Sequence, residues 1–228
     1  MLPDHTNPEQ PYHHGNVKEA LVDTAMKLIE KHDVGTLSLR KLSKEVGITP
    51  SAVYNHFADK NALLLAIKTR IYAEMNEYFE SCRSTTTDPE QALLEICTAY
   101  YHYSNEYSSQ FQFLFSSTLP LEWLTPETVA ISCRSLLRVR KLVWQIYEKH
   151  QIACSESDVV NVALLVWSQL HGIVTLRNSG SIKAAVAHMG WPSSCGLTND
   201  AAVEQLIKNH VELMVNGIVN SKHSGSHH

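Results

Sequence analysis

The chain has 228 residues, 44% of them hydrophobic and 18% charged, which suits one sizeable core or a small domain beside a larger one and excludes a disordered polymer. Its 19 Lys and Arg against 23 Asp and Glu leave a formal charge of -4, which excludes a uniformly basic coat for nucleic acid or membrane. Cysteines at 82, 97, 133, 154 and 195 show no C-x-x-C pairing, so neither a disulfide scaffold nor a cysteine-rich zinc site is indicated.

Residues 1–12, with the run LPDHTNPEQP, read as a flexible proline-containing arm. The first helix is predicted from near Asn16, a cap with Glu19 reaching back to it, and its apolar face is Val17, Leu21, Ala25, Leu28 and Ile29 through about His32. Asp33-Val34-Gly35 interrupts the pattern. A second helix is predicted over Ser38 to Val46, with Ser38 as cap, Leu39, Leu42 and Val46 at helical spacing, and Gly47 at its end. Thr49 caps the next, Pro50 takes its first position, and Ser51 to His56 complete it. A short helix after a tight turn can enter a DNA major groove while its predecessor crosses the backbone. A generic three-helix interaction domain would show the same periodicity.

Charge is unevenly divided along the chain. Over 36–70, Arg40, Lys41, Lys44, Lys60, Lys68 and Arg70 stand against Glu45 and Asp59, a local +4, whereas 71–133 carries nine carboxylates and only Arg83. A polyanion is therefore drawn to the first part of the chain.

Asp59 is placed to cap a long helix from Lys60, carried by Leu63, Ile67, Ile71, Met75 and Phe79. Ser84 to Thr87 interrupt it, and Asp88-Pro89 restart a helix over about 89–106. A short helix is expected over 109–118, a break at Pro120, and a longer helix from Thr125-Pro126 to roughly Ala153. Ser157 is expected to begin the next, with Val159, Val160, Ala163, Val166, Trp167 and Leu170 apolar, and Val203 to Ile218 form a terminal stripe. The apolar run at 159–167 is too short to predict a membrane span, no leading signal-like segment is seen, and a cytoplasmic protein is expected. The closing KHSGSHH, within 221–228, resembles an expression-tag remnant and is kept out of any metal argument. With no H-E-x-x-H helix, glycine-rich phosphate loop or nucleophile elbow, neither an enzyme nor a metal or cofactor is expected, and His102, His150, His171, His188 and His210 read as structural or exposed.

Residues 13–70, and above all TLSLRKLSKEVGITPSAVYNHFADKNALL, strongly resemble the N-terminal domain of TetR-like transcriptional regulators. Ser43 stands where that family commonly has alanine, and Asn61 where it commonly has an acidic residue. The resemblance implies an all-α fold, with a three-helix DNA-binding domain over 13–59 joined to a larger helical regulatory and dimerisation domain over 60–220. It places Thr49, Pro50, Ser51, Ala52, Tyr54, Asn55 and His56 around the recognition surface, and Tyr54 and Lys60 on phosphates. Asn55 has the chemistry to read a base edge, Ala52 to meet a thymine methyl, and Ser51 to meet either base or phosphate, while His56 can also pack on its own domain. Ser38 and Thr49 serve as caps or backbone contacts, and Lys41 and Lys44 as nonspecific attraction or a solvated face.

Trp167-Ser168-Gln169-Leu170-His171-Gly172 is similar to the signature of the WHG subgroup, in which Gly172 can permit close helix packing. The resemblance further implies a homodimer on double-stranded operator DNA, nucleoid-associated in a prokaryote, released by a small-molecule effector of unknown class. It implies a chamber bordered by Tyr100, Tyr103, Phe111, Phe115, Trp123, Trp144, Trp167 and His171, residues that equally build an ordinary core. A constitutive repressor, an activator and a helical protein-interaction module are the rival readings.

Overall fold

A computed structural model describes residues 17–31, 37–116, 120–192, 197 and 199–221. Among them every regular element is helical: α1 Val17–Lys31, α2 Leu39–Val46, α3 Pro50–Tyr54, α4 Lys60–Ser81, α5 Pro89–Glu106, α6 Ser108–Ser116, α7 Pro126–Lys149, α8 Glu156–Ser179, α9 Ser181–Met189 and α10 Asp200–Ser221, with a 3-10 turn at Leu121–Trp123. The chain forms two compact units, one of Met1–Lys68 and Gln112–Trp123, the other of Thr69–Phe111 and Leu124–His228. The divisions fall within α4 and α6.

In the first unit α2 packs against both α1 and α3. Leu21 and Ala25 of α1, Leu42 of α2 and Val53 of α3 are wholly buried, with Phe57 closing the cluster. The caps do what their chemistry requires. Ser38 Oγ accepts from Lys41 N at 3.2 Å, Thr49 Oγ1 from Ala52 N at 3.2 Å, and Asp59 Oδ1 from Asn61 N at 2.9 Å and Ala62 N at 2.8 Å. Gly47 ends α2 at φ 77, left-handed backbone that a Cβ disfavours. Ser43 is small enough to be buried and donates back to the Arg40 carbonyl at 2.9 Å. The Asn16 cap, the Asp33-Val34-Gly35 break, the 1–12 arm and the tail after 221 lie outside the described residues.

Lys68 departs from the sequence reading, which counted it among the cations facing a polyanion. It is 7% exposed; its Nζ donates to the Leu114 carbonyl at 2.9 Å and lies 5.9 Å from the Phe113 ring centre, and burial lowers its pKa from the ordinary lysine value. It follows Ile67 and precedes Ile71 by three positions, both wholly buried, so helical spacing carries it inward. Arg70, outside this unit, pairs with Glu74 at 2.9 Å. The exposed basic residues of 36–68 are Arg40, Lys44 and Lys60, with Lys41 half-buried.

In the second unit α5, α7, α8 and α10 pack on one another, and α9 packs on α8. Tyr101, Tyr103, Leu93, Val143, Ile146, Val174, Val203 and Ile207 fill the core. Lys149 and His150, at the end of α7, grip the start of α5: Lys149 Nζ lies 2.7 Å from Asp88 Oδ1 and 2.8 Å from Glu90 Oε1, and His150 Nε2 lies 2.7 Å from Glu90 Oε1. Helix α7 stops at Lys149 rather than near Ala153, because Gln151 turns to φ 55 and Ile152 N donates back to the Tyr147 carbonyl. The next cap is Ser155, not Ser157. Its hydroxyl accepts from Asp158 N at 3.2 Å while the Asp158 carboxylate accepts from Ser155 N at 2.8 Å, a reciprocal pair that Ser157 does not form.

The 24-residue α8 also revises the argument from its short apolar run. By length and composition alone, with a mean hydropathy of 1.6 in its most apolar window, it is long enough to cross a membrane. Its Val159, Ala163, Val166, Leu170 and Val174 stripe is instead buried within the helical unit. Among the described residues Gly172 serves no close packing, since a Cβ there would meet nothing within 4 Å.

Candidate functional site

The turn between α2 and α3 presents one polar surface. Val53 points inward and holds α3, and Phe57 N and His56 N both donate to the Val53 carbonyl at 3.0 Å. With Val53 committed to the core, helical periodicity turns the other side chains out. Pro50, Ser51, Tyr54, Asn55 and His56 are exposed and Ala52 is half-buried; Tyr54 is 57% exposed, a large aromatic with no core role. Thr49 Oγ1 and Ser51 Oγ lie 2.9 Å apart. Ser38 and Lys60 are exposed at the starts of α2 and α4. Among the described residues, no hydrogen bond or ion pair engages the side chains of Lys41, Lys44, Tyr54, Asn55, His56 or Lys60. The His56 ring is therefore not packed into its own domain. Lys18 Nζ, 5.9 Å from the Phe57 ring centre, adds a cation that sequence reasoning did not single out, since its i to i+39 partner is not visible in local spacing.

In the second unit a ring cluster surrounds one polar pair. Tyr100 Oη lies 2.8 Å from His171 Nδ1; Phe111 packs edge-on to Tyr100 at 5.3 Å and against His171 at 6.0 Å, and Trp167 lies 6.5 Å from His171. Burial raises the Tyr100 phenol pKa and lowers that of His171, so both groups of the pair are held toward their neutral forms. Tyr103 belongs to a neighbouring aromatic group with Tyr78, Phe79 and Tyr107, and donates to Gln110 Oε1 at 3.1 Å.

The remaining expected chamber residues do not join this cluster within the unit. Phe115, 37% exposed, and Trp123, half-buried, belong to the first unit. Trp144, 46% exposed, faces a separate groove on α7. No group of three or more His, Cys, Asp or Glu among the described residues is arranged to hold a metal ion; His102 pairs with Glu204 at 3.2 Å and His188 is exposed.

Two family models match this arrangement, that of bacterial regulatory proteins of the tetR family over residues 21–67 and that of the tetracyclin repressor-like C-terminal domain over residues 93–189. The chain has the fold and domain architecture of a TetR-family transcriptional regulator. It is 33% identical over 61 residues to the tetracycline repressor protein class D of Escherichia coli, a match spanning 27% of this chain and 28% of that repressor. The structure of a protein of unknown function from Rhodococcus sp. RHA1 superposes with a TM-score of 0.71 at 22% identity, over 92% of this chain and 98% of that one. BioQ, solved with its natural double-stranded DNA operator, superposes with a TM-score of 0.55 at 18% identity, over 92% of this chain and 99% of that one. At these identities the structural likeness is one of fold.

Within this TetR fold, the buried His210 and the half-buried His171 give stability a defined pH dependence. Burial lowers both His171 and His210 from the ordinary value of 6.5, and for His210 a hydrogen bond to the Val166 backbone partly opposes the shift. Just below pH 6.5 the unfolded chain therefore binds more protons at these sites than the folded one. Their contribution is full above that value and is lost as pH falls through it. Thermal midpoints are expected to fall between about pH 7.5 and about pH 5.5, and His210→Gln to flatten that fall. An unchanged pH dependence in His210→Gln would remove His210 from this account.

Proposed function

We propose that the protein is a ligand-responsive DNA-binding transcriptional regulator, a homodimeric repressor that holds a roughly palindromic operator in the bacterial cytoplasm and releases it when a small molecule binds. The observation that carries this reading is the outward face of α3. The side chains of Tyr54, Asn55 and His56 make no hydrogen bond among the described residues, and Ser51 Oγ shares one with the neighbouring Thr49 Oγ1 at 2.9 Å, in a segment that matches the tetR-family model. In this reading α3 enters the major groove, Asn55 and Ser51 meet base edges, Ala52 a thymine methyl, and Tyr54, Thr49 and Lys60 the phosphates, with Ser38, Lys41 and the Pro50 start of the helix bordering the backbone.

Dimerisation is assigned to α8 and α10. Leu164, Leu165 and Leu176 on α8 and Leu206 and Leu213 on α10 are exposed, and Gly172 and Gly217 leave open space beside them. A second copy would cover these faces as an isologous four-helix contact. Leu213→Asp is expected to yield monomers by sedimentation and to weaken operator binding, because one half-site then binds alone.

The effector is assigned to the ring cluster of Tyr100, Phe111, Trp167 and His171, whose Tyr100 and His171 pair supplies hydrogen bonding inside an aromatic frame. Trp167, His171 and Gly172 are also the basis for placing the chain in the WHG subgroup. Bound effector would favour a spacing of the two recognition helices unsuited to the operator. The test is to measure operator and effector affinities together at fixed salt, where linkage requires each ligand to weaken the other by the same factor. Selective operator binding without coupling would leave a constitutive repressor. Absence of preferential binding to any palindromic duplex across a salt series would leave a protein-interaction module instead.

A further inference from the structure

We propose that the groove between α7 and the beginning of α8 binds an amphipathic anion, a flexible alkyl or flat aromatic body bearing one carboxylate. The groove measures about 630 Å³, within the usual range for small-molecule sites, and is separate from the Tyr100 and His171 cluster. Its apolar surface comes from Leu137 and Trp144, seven residues apart on one face of α7, with Val159 behind them. Val159 is 5% exposed, whereas Leu137 is 52% and Trp144 46% exposed, so a packed floor carries two large side chains with no cover of their own. The half-buried Cys154 adds to the apolar wall; burial and the Asp158 carboxylate raise its pKa, which keeps the thiol neutral.

The charges at the rim select the sign of the ligand. Arg140 is engaged by Glu156 at 3.2 Å. Lys141, also on the groove, makes no hydrogen bond or ion pair among the described residues. The adjacent start of α8 offers little competition, because Ser155 and Asp158 close it in their own reciprocal pair. The one unengaged charge beside the apolar strip is therefore an ammonium, suited to a carboxylate whose hydrophobic body lies along Leu137 and Trp144. A cationic amphiphile would meet Arg140 and Lys141 together.

The test uses the full-length protein and titration calorimetry with decanoate, decanol and decylamine. Decanoate is expected to bind best, and Lys141→Glu and Leu137→Asn each to weaken it by about tenfold or more. Both residues are exposed, so the fold is checked by circular dichroism at unchanged Tm. Tyr100→Phe, which alters the ring cluster, is expected to leave decanoate affinity in place. Decanoate binding that ignores both groove substitutions, or that is lost in Tyr100→Phe, overturns the proposal. Conversion of the protein to monomers by Leu137→Asn overturns it too, because the groove would then be covered by a second copy. Operator binding enters none of these measurements, so the proposed regulatory function and this site fail independently.

Discussion

Phe113→Ala is expected to destabilise the protein by about 3–5 kcal/mol, the range for emptying a fully buried aromatic position. Phe113 is 0% exposed within the first unit, and its ring lies 5.9 Å from the ammonium of the buried Lys68. Loss of the ring has two consequences there. It leaves a cavity that neighbours fill only partly, and it takes away the aromatic face that helps shield a desolvated cation whose donor bond goes to Leu114 O. Phe113→Leu keeps most of the volume and is expected to cost far less. Urea midpoints at neutral pH, followed by circular dichroism, check both variants. A shift worth less than about 1 kcal/mol for Phe113→Ala would mean that the ring is not part of a packed core.

The same neighbourhood shows what could be read in advance and what could not. The starts of α2, α3 and α5 were legible because each carries a local signal that needs no tertiary partner: Ser38, Thr49-Pro50 and Asp88-Pro89 cap or begin their helices as chemistry dictates, whereas α3 ends at Tyr54 rather than at His56. The outward face of α3 was implied by the family resemblance rather than by local spacing, and the burial of Val53 supplies its physical basis by fixing the inward direction. Burial of Lys68 was less so, because a lysine is ordinarily on the surface and its acceptor, the Leu114 carbonyl, is 46 residues away. Helix α9 carried no usable signal. It buries no residue and lies between Gly180 and Gly190, so neither an apolar stripe nor a side-chain cap marks it.

Aromatic residues were the hardest to sort. Tyr100, Phe111, Trp167 and His171 come together from α5, α6 and α8 through contacts as much as 71 residues apart, while Trp144, equally aromatic in sequence, ends on an exposed face of α7. Periodicity assigns a residue to a face of its own helix and is silent on which helix will cover that face. The choice between Ser155 and Ser157 was narrower, because the deciding feature was a single Asp158 placed three residues after the true cap.

On operator DNA, Asn55→Ala is expected to cost about 1–3 kcal/mol per half-site, roughly 5- to 150-fold in affinity, and more on the operator than on random duplex. The carboxamide is exposed beside Tyr54 and His56 and engages no partner among the described residues, so its donor and acceptor are both available to a base edge. Lys60→Ala is expected to act differently. Lys60 is exposed at the first position of α4, where its ammonium is available to a phosphate while Asp59 caps the helix amides, and its loss should weaken operator and random duplex alike. It should also lower the slope of log affinity against log salt by about 0.9 for each half-site, whereas Asn55→Ala leaves that slope nearly unchanged. Lys149→Ala is the matching control, since that cation is held by Asp88 and Glu90. Affinities measured on both duplexes over a salt series separate the two roles. Equal losses on operator and random DNA for Asn55→Ala would move Asn55 from base reading to backbone positioning, and an unchanged salt slope for Lys60→Ala would take Lys60 off the phosphates.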